Sequence, residues 1–191
     1  MPRIEKIYYC DRYLAPRLLG ILDIMGDRGL VPWSQVNSWA CVACGKCCVG
    51  YRVPLKADEY ARVAHLYGYS VVEFGLGKVF LKHGEGNRCV FQHPSMGRWV
   101  CSLQAMKPLA CKLFPFRVLS KPVYSRGDGS AYKYQGTTFH VYLDPDCDGV
   151  RAGTPSDRFL YQILPEVIQI GIGQRYKQRF TTSKYISWNP P

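Results

Sequence analysis

The sequence predicts a small mixed α+β domain with its cysteines on loops, flanked by an N-terminal helix and by a C-terminal helix with a basic tail. Apolar residues make up 47% of the 191-residue chain and aromatic residues 14%, which is enough for a hydrophobic core and excludes a largely disordered chain. Segments with helical spacing alternate with short strand-like runs. The nine cysteines lie mostly beside turn-forming or irregular sequence.

The first half of the chain contains two predicted helices. Residues 12–26 place apolar side chains at helical spacing. Residues 49–55 predict a short strand, and residues 57–67 predict a second helix that ends at Gly68. Asp58 and Glu59 fall in the first turn of this helix, where negative charge suits the helix dipole.

The second half predicts strands, turns and one more helix. Residues 78–81 and 98–101 read as strands, and residues 102–111 as a short helix or turn made irregular by proline. A turn at residues 126–130 lies between residues 122–124 and the clearest strand, at residues 137–142. Ser156 can cap a helix at residues 157–170, which Pro165 should kink. We divide the chain into an N-terminal helical extension (1–40), a cysteine domain (41–153) and a C-terminal helix with a basic aromatic tail (154–191).

The strongest motif is a C-x-x-C-x-x-C-C block formed by Cys41, Cys44, Cys47 and Cys48. Two intervening residues let the backbone curl so that thiolates face one centre, and Gly45 permits the tight turn. This spacing supplies three ligands from one loop and is familiar from iron–sulfur proteins, where a distant cysteine completes the set. Adjacent cysteine side chains tend to diverge, so Cys47 or Cys48 should face a second metal, a second iron or no metal.

Four further cysteines can act as ligands: Cys89, Cys101, Cys111 and Cys147. The alternative for each is a buried structural thiol, because free cysteine is among the most buried residue types. Cys10, in an aromatic stretch, fits the core better. An odd total of nine leaves one thiol unpaired in any closed disulfide set. No signal peptide and no apolar stretch of membrane-spanning length is evident, so we expect a cytoplasmic protein in which clustered cysteines bind metal.

The chain resembles the CxxCxxCC cysteine-cluster family over roughly residues 41–153. The resemblance is carried by the block at residues 41–48, by Cys89 with the two residues after it, by residues 101–115 and by a late Cys-x-Gly at residues 147–149. Lysines at positions 107 and 112 stand where the family has arginine, and Gln104 replaces a tyrosine. The resemblance implies a zinc- or iron-chelating domain, with eight cysteines in the pattern and Cys10 outside it.

The spacing favours an iron–sulfur cluster, most simply [4Fe–4S], as the cofactor. Zinc is the alternative, although a four-cysteine zinc site normally uses two C-x-x-C pairs separated by a spacer. His83, His93 and His140 could replace a thiolate. Lys46, Arg88, Lys107 and Lys112 lie beside candidate ligands, where cations lower thiolate pKa values.

Composition also predicts an anionic partner. Twenty-five Lys and Arg against fourteen Asp and Glu give a net charge of +11, and the C-terminal tail interleaves cations with aromatic side chains. The tail could bind RNA or a ribonucleoprotein particle, or could be a solvated basic face; a protein partner is a further alternative. Relatives that include flagellin lysine-N-methylases imply methyl transfer. However, the sequence contains no glycine-rich adenosine-binding loop and no catalytic triad or carboxylate pair, so we favour a role in redox chemistry, sensing or structure over catalysis.

Overall fold

The computed structural model describes residues 11–12, 29–75, 77–123 and 129–183. The strands are, in chain order, β1 (Asp11–Arg12), β2 (Val31–Pro32), β3 (Val36–Trp39), β4 (Tyr51–Arg52), β5 (Pro54–Leu55), β6 (Val72–Gly75), β7 (Lys78–Leu81), β8 (Gln92–Ser95), β9 (Arg98–Cys101), β10 (Phe116–Leu119), β11 (Ala131–Tyr134), β12 (Thr137–Leu143) and β13 (Val150–Ala152). The α-helices are α1 (Ala57–Tyr67), α2 (Leu109–Leu113) and α3 (Leu164–Gly171). The strand pairs are antiparallel, and the predicted mixed α+β class is confirmed.

The chain divides into two compact units. Of the described residues, the terminal unit contains residues 29–42, 112–123 and 129–183, and the cysteine unit contains residues 11–12, 43–75 and 77–111. Each unit therefore combines segments that are distant in sequence. The division at residues 40 and 153 stays a prediction.

The terminal unit is built around β12. This strand lies between β10 and β11, and its end also pairs with β2. Its sequence is rich in β-branched and aromatic residues, which favour a pleated, half-buried surface. Val141, Tyr142 and Leu143 are fully buried. A separate ladder joins β3 to β13.

The C-terminal helix packs against this sheet. Ser156 caps its start, with Oγ accepting the amide of Phe159 over 3.4 Å, and Leu164, Val167 and Ile168 are fully buried. A π-helical turn at Phe159–Ile163 runs directly into α3. Because Pro165 has no amide hydrogen, the regular ladder is interrupted just before it, so the predicted disturbance takes the form of this wider turn.

The cysteine unit combines α1, the three-stranded sheet β5–β7–β6 and the hairpin β8–β9. Helix α1 matches its predicted bounds and buries Val63 and Ala64. Gly68, with φ of 80°, ends the helix as predicted. The strands predicted at residues 78–81 and 98–101 are also confirmed.

The structure corrects one predicted strand. Residues 49–55 do not form a single strand but a bridge at Val49 followed by β4 and β5. Gly50, with φ of 74°, turns the chain after the bridge, and a proline begins β5. The predicted helix at residues 12–26 lies outside the described residues except for Arg12, which is in β1, and the predicted turn is described only at residues 129–130.

Within the described ranges, no helix combines the length and the apolar character needed to cross a bilayer. The cytoplasmic location stays a prediction.

Candidate metal centre

The cysteine loop, residues 43–48, has a tightly turned backbone. Ala43 and Gly45 have positive φ angles of 56° and 82°, and a 3-10 turn follows at Lys46–Cys48. The amide of Cys48 donates to the carbonyl oxygen of Gly45 over 3.1 Å and closes that turn. Glycine tolerates such angles without the Cβ clash that other residues meet, which accounts for the predicted role of Gly45.

The indole of Trp99 covers this loop. The backbone amide of Trp99 donates to the carbonyl oxygen of Ala43 over 2.9 Å. A Cβ placed on Gly45 would lie 2.6 Å from Trp99 Cγ. The guanidinium carbon of Arg88 lies 3.6 Å from a Trp99 ring centre, and the guanidinium donates to Gln92. Gln92 Nε2 in turn donates to the carbonyl of Gly45 over 3.2 Å. We call Arg88, Gln92 and Trp99 the loop clamp, and sequence reasoning did not identify Gln92 or Trp99.

Separate elements carry three further cysteines to the same core. Cys89 donates its amide to the carbonyl of Cys48 over 2.8 Å, Cys101 ends β9, and Cys111 lies in α2. These three share one apolar cluster with Cys47 and Cys48. Cys48 and Cys89 are buried, whereas Cys47, Cys101 and Cys111 are partly buried. The other buried members of the cluster are Val53, Leu55, Val63, Val72, Leu81, Phe91 and Leu103.

Cys47 and Cys48 form a close thiol pair. Their Sγ atoms lie 3.7 Å apart and share a hydrogen bond. The prediction that these adjacent side chains diverge is therefore wrong. The 3-10 turn curls the backbone at this point, whereas neighbouring side chains point to opposite sides only in an extended strand.

Hydrogen bonding distinguishes the two thiols of this pair. The bond to Cys48 lowers the pKa of Cys47 to about 7; burial opposes this change, and the positive charges of Lys107 and Arg88 support it. The same bond raises the pKa of Cys48, and burial adds to the rise. Cys47 is therefore the thiol in this pair that ionises more readily.

Burial favours the protonated thiol at Cys89 and at Cys101. It raises the pKa of Cys89 to about 11 and also raises the pKa of Cys101, and neighbouring thiols oppose further negative charge. Several thiols in one apolar core cannot ionise together unless a cation offsets their charge. A metal ion or metal cluster is a cation of this kind, because it binds thiolates and displaces their protons.

A buried amide without a hydrogen-bond partner lies in the same unit. Gln104 Nε2 is buried and finds no acceptor in the described parts of the chain. Leu103 and Met106, on either side of it, pack in the cluster that contains the thiols. An unsatisfied buried donor is costly, and a metal-bound thiolate or a sulfide would be a suitable acceptor.

Of the three candidate histidines, His83 forms an isolated antiparallel β-bridge with Cys89. His83 Nε2 is buried without a partner, and burial lowers the pKa of His83, but the charges that act on it are those of Glu73 and Arg52. His93 and His140 lie beside serine hydroxyls. Among the residues that the structure describes, no group of three or more His, Cys, Asp or Glu is arranged to hold an ion.

The remaining predicted ligands lie elsewhere. Cys44 is half-buried on the cysteine loop and is not among the described members of the apolar cluster. Cys41 and Cys147 belong to the terminal unit, where Trp39 Nε1 donates to Cys147 Sγ over 3.4 Å. The amide of Ala40, next to Cys41, donates to the carbonyl of Gly149 over 3.1 Å.

This contact explains the glycine of the late Cys-x-Gly element. A Cβ on Gly149 would lie 2.1 Å from the carbonyl oxygen of Ala40. The backbones that carry Cys41 and Cys147 can therefore approach each other only with glycine at position 149.

A model of the CxxCxxCC family, described as "Putative zinc- or iron-chelating domain", matches residues 40–147. This span is more than half of the 191-residue chain and includes the eight cysteines of the predicted pattern. Neither a curated protein nor a solved structure matches the chain at a significant level.

Proposed function

The chain belongs to the CxxCxxCC family, and on that premise we propose that it holds an iron–sulfur cluster, most simply [4Fe–4S], in its cysteine unit. Metal binding is the general property that the family's chelating domain and the cysteine content support. The candidate ligands in this unit are Cys44, Cys47, Cys48, Cys89, Cys101 and Cys111.

The observation that carries the proposal is the convergence of five thiols from four separate segments in one apolar cluster. A single buried cysteine behaves as a small hydrophobic residue and needs no further explanation. Five thiols together instead fit the ligand shell of a metal centre. Ionisation of one thiol raises the pKa values of its neighbours, and one buried amide donor in the same unit has no acceptor among the described residues.

The number and spacing of the thiols favour a cluster over one zinc ion. A structural zinc ion takes four ligands, whereas the described residues of this unit include six cysteines. The C-x-x-C-x-x-C spacing is typical of iron–sulfur ligands. A bound cluster would supply one-electron or sensing chemistry and would also stabilise the core that its ligands occupy.

Cationic and polar side chains complete the environment of such a cluster. Lys107 and Arg88 act electrostatically on Cys47 and would offset part of the negative charge of a thiolate-bound centre. Arg88 is held in place by the loop clamp. Gln104 would donate its free amide hydrogen to a sulfur atom.

Zinc is the second candidate, and the close thiol pair is the observation in its favour. At a Zn–S distance of about 2.3 Å, two thiolates on one tetrahedral ion lie about 3.8 Å apart. The Cys47 and Cys48 sulfurs, 3.7 Å apart, match that spacing.

Anaerobic metal analysis separates these candidates. Protein purified without oxygen should be brown and contain iron and acid-labile sulfide in similar amounts. Cys47→Ser should lose most of the iron, whereas Cys10→Ser, which lies outside the family pattern, should retain it. Colourless protein with stoichiometric zinc would replace the iron–sulfur proposal by the zinc one.

We also propose that the basic tail contacts RNA or a ribonucleoprotein. The exposed side chains of Tyr176 and Lys177 support this, since cations with exposed aromatic rings can bind phosphate and stack on bases. Affinity for a single-stranded RNA should fall steeply with salt, because binding releases counterions. Salt-independent binding, or none at low salt, would refute it. The protein-partner and methyl-transfer alternatives stay predictions.

A further inference from the structure

A cavity of about 260 Å³ opens in the terminal unit, beside the start of the C-terminal helix. Its walls come from the end of β3, from β13 and from the first turns of the helix. The volume is slightly below the ~300–1,000 Å³ of ordinary ligand clefts, so an occupant must be small.

The inner wall of the cavity is apolar and firmly packed. Trp39, Phe159 and Ile163 line it, and each is at most 5% exposed. Phe116 lies behind the two aromatic rings, with its ring centre 5.2 Å from that of Trp39 and 6.3 Å from that of Phe159. The wall is thus preformed, and an apolar group that enters the cavity meets the small part of these side chains that faces it.

The outer part of the cavity is cationic. Arg151 and Arg158 both line it, and neither guanidinium forms an ion pair within the described residues. The Arg151 guanidinium donates a hydrogen bond to the carbonyl oxygen of Asp148 over 3.1 Å. The register of β13 shifts between Arg151 and Ala152, and such an irregularity changes the direction of a side chain. Two planar guanidinium groups beside one cavity can bind a carboxylate or phosphate in bidentate fashion.

We propose that this cavity binds a small organic anion with a flat apolar body, such as an aromatic carboxylate or phosphate. The apolar body lies against Trp39 and Phe159, and the anionic group meets Arg151 and Arg158. The site lies in the terminal unit and does not depend on the proposed metal.

Calorimetric titration of the full chain, purified anaerobically and studied at low salt, tests the site with four probes. Benzoate and phenyl phosphate carry both features, benzyl alcohol lacks the charge, and inorganic phosphate lacks the apolar body. At least one of the first two should bind about tenfold more tightly than both controls, and the tighter one identifies the anionic group. If neither benzoate nor phenyl phosphate binds more tightly than both benzyl alcohol and inorganic phosphate, the proposal is overturned.

Three variants assign the binding to the cavity. Arg151→Met with Arg158→Met should weaken the tighter probe about tenfold or more, whereas Arg62→Met, an exposed arginine paired with Asp58, should not change it. Ala40→Phe, which fills the cavity from an exposed position, should also abolish binding while both arginines remain. If either cavity variant binds as tightly as the unmodified chain, the site is not this cavity.

Discussion

Gly45 is subject to two separate constraints. Its φ angle of 82° is costly for any other residue, and the Trp99 ring leaves no room for a Cβ. The sequence indicated the turn, because glycine lies inside a cysteine block. The second constraint could not be predicted, because Trp99 is distant in sequence and comes close only through the β8–β9 hairpin.

Gly45→Ala should destabilise the cysteine unit by about 2–4 kcal/mol, because backbone strain adds to overlap with the indole. The variant should also bind less metal, since the loop that carries the thiols must shift. Urea unfolding and metal analysis of the purified variant measure both effects.

Gly97→Ala is the matched control. Gly97 has a φ of 72° but nothing within 4 Å of the added Cβ, so it carries backbone strain without overlap. The Gly97→Ala variant should lose only about 1 kcal/mol of the free energy of unfolding and should keep its metal content. Equal losses in the two variants would show that the clamp on Gly45 is unimportant.

Glu59 connects two helices of the cysteine unit. One carboxylate oxygen accepts the amide of Lys56 over 2.9 Å at the start of α1, and the other accepts the amide of Leu109 over 2.7 Å at the start of α2. Since α2 carries Cys111, this nearly buried carboxylate helps to position a candidate ligand. Its position in the first turn was predictable from sequence, but its bond to Leu109 was not.

Glu59→Gln should cost about 1–3 kcal/mol, because the amide group cannot accept both backbone bonds and leaves a donor unsatisfied. Asp58→Asn, one residue earlier, alters only an exposed pair with Arg62 and should stay within about 0.5 kcal/mol. Thermal unfolding of both variants gives the comparison, and similar destabilisation would contradict the assigned role of Glu59.

Glu166 anchors the segment after α3 to that helix. Its buried carboxylate accepts the amides of Arg179, Phe180 and Thr181 at 2.8–3.1 Å and the Thr181 hydroxyl at 2.7 Å. Burial raises the pKa of Glu166, but the bonds from Thr181 and the three amides together bring it below its usual value of 4.5. Part of the predicted basic tail is thus attached to the helix through its backbone.

This depressed pKa makes stability fall in acid. Above pH 4.5, ionised Glu166 makes its full contribution to the free energy of unfolding. Below pH 4.5, Glu166 is protonated first in the unfolded state, so stability falls until Glu166 is also protonated in the folded state. The slope from this group is at most about 1.4 kcal/mol per pH unit. Urea unfolding between pH 6 and pH 3 should show a steeper acid loss in the unmodified chain than in Glu166→Gln, and parallel curves would refute the prediction.

The two units have different kinds of core. The terminal unit buries hydrocarbon side chains on β12 and α3, whereas the cysteine unit places five thiols among its apolar residues. Because thiols in an apolar core need a cation to ionise, the proposed metal would stabilise the core of the cysteine unit. Loss of the proposed metal should therefore lower the local stability of the cysteine unit more than that of the terminal unit.

Removal of the metal by a chelator should loosen the cysteine unit first. Amide exchange in residues 43–111, including the Cys89 bond to the Cys48 carbonyl, should accelerate about tenfold or more, whereas exchange in β12 should change by less than about twofold. Hydrogen-exchange mass spectrometry before and after chelation measures this, and restored metal should reverse it. Uniform acceleration along the chain would contradict it.

Local patterns were sufficient to predict metal binding in general and several elements. Four features depend only on neighbours within a few residues, and the sequence contains that information directly. They are the cysteine spacing, the periodicity of α1, the strand at Thr137–Leu143 and the cap at Ser156. Tertiary structure alone decided which thiols share a core, that Trp99 covers Gly45 and that Glu59 reaches Leu109. Those contacts join residues far apart in the chain, and packing rather than local propensity selects them.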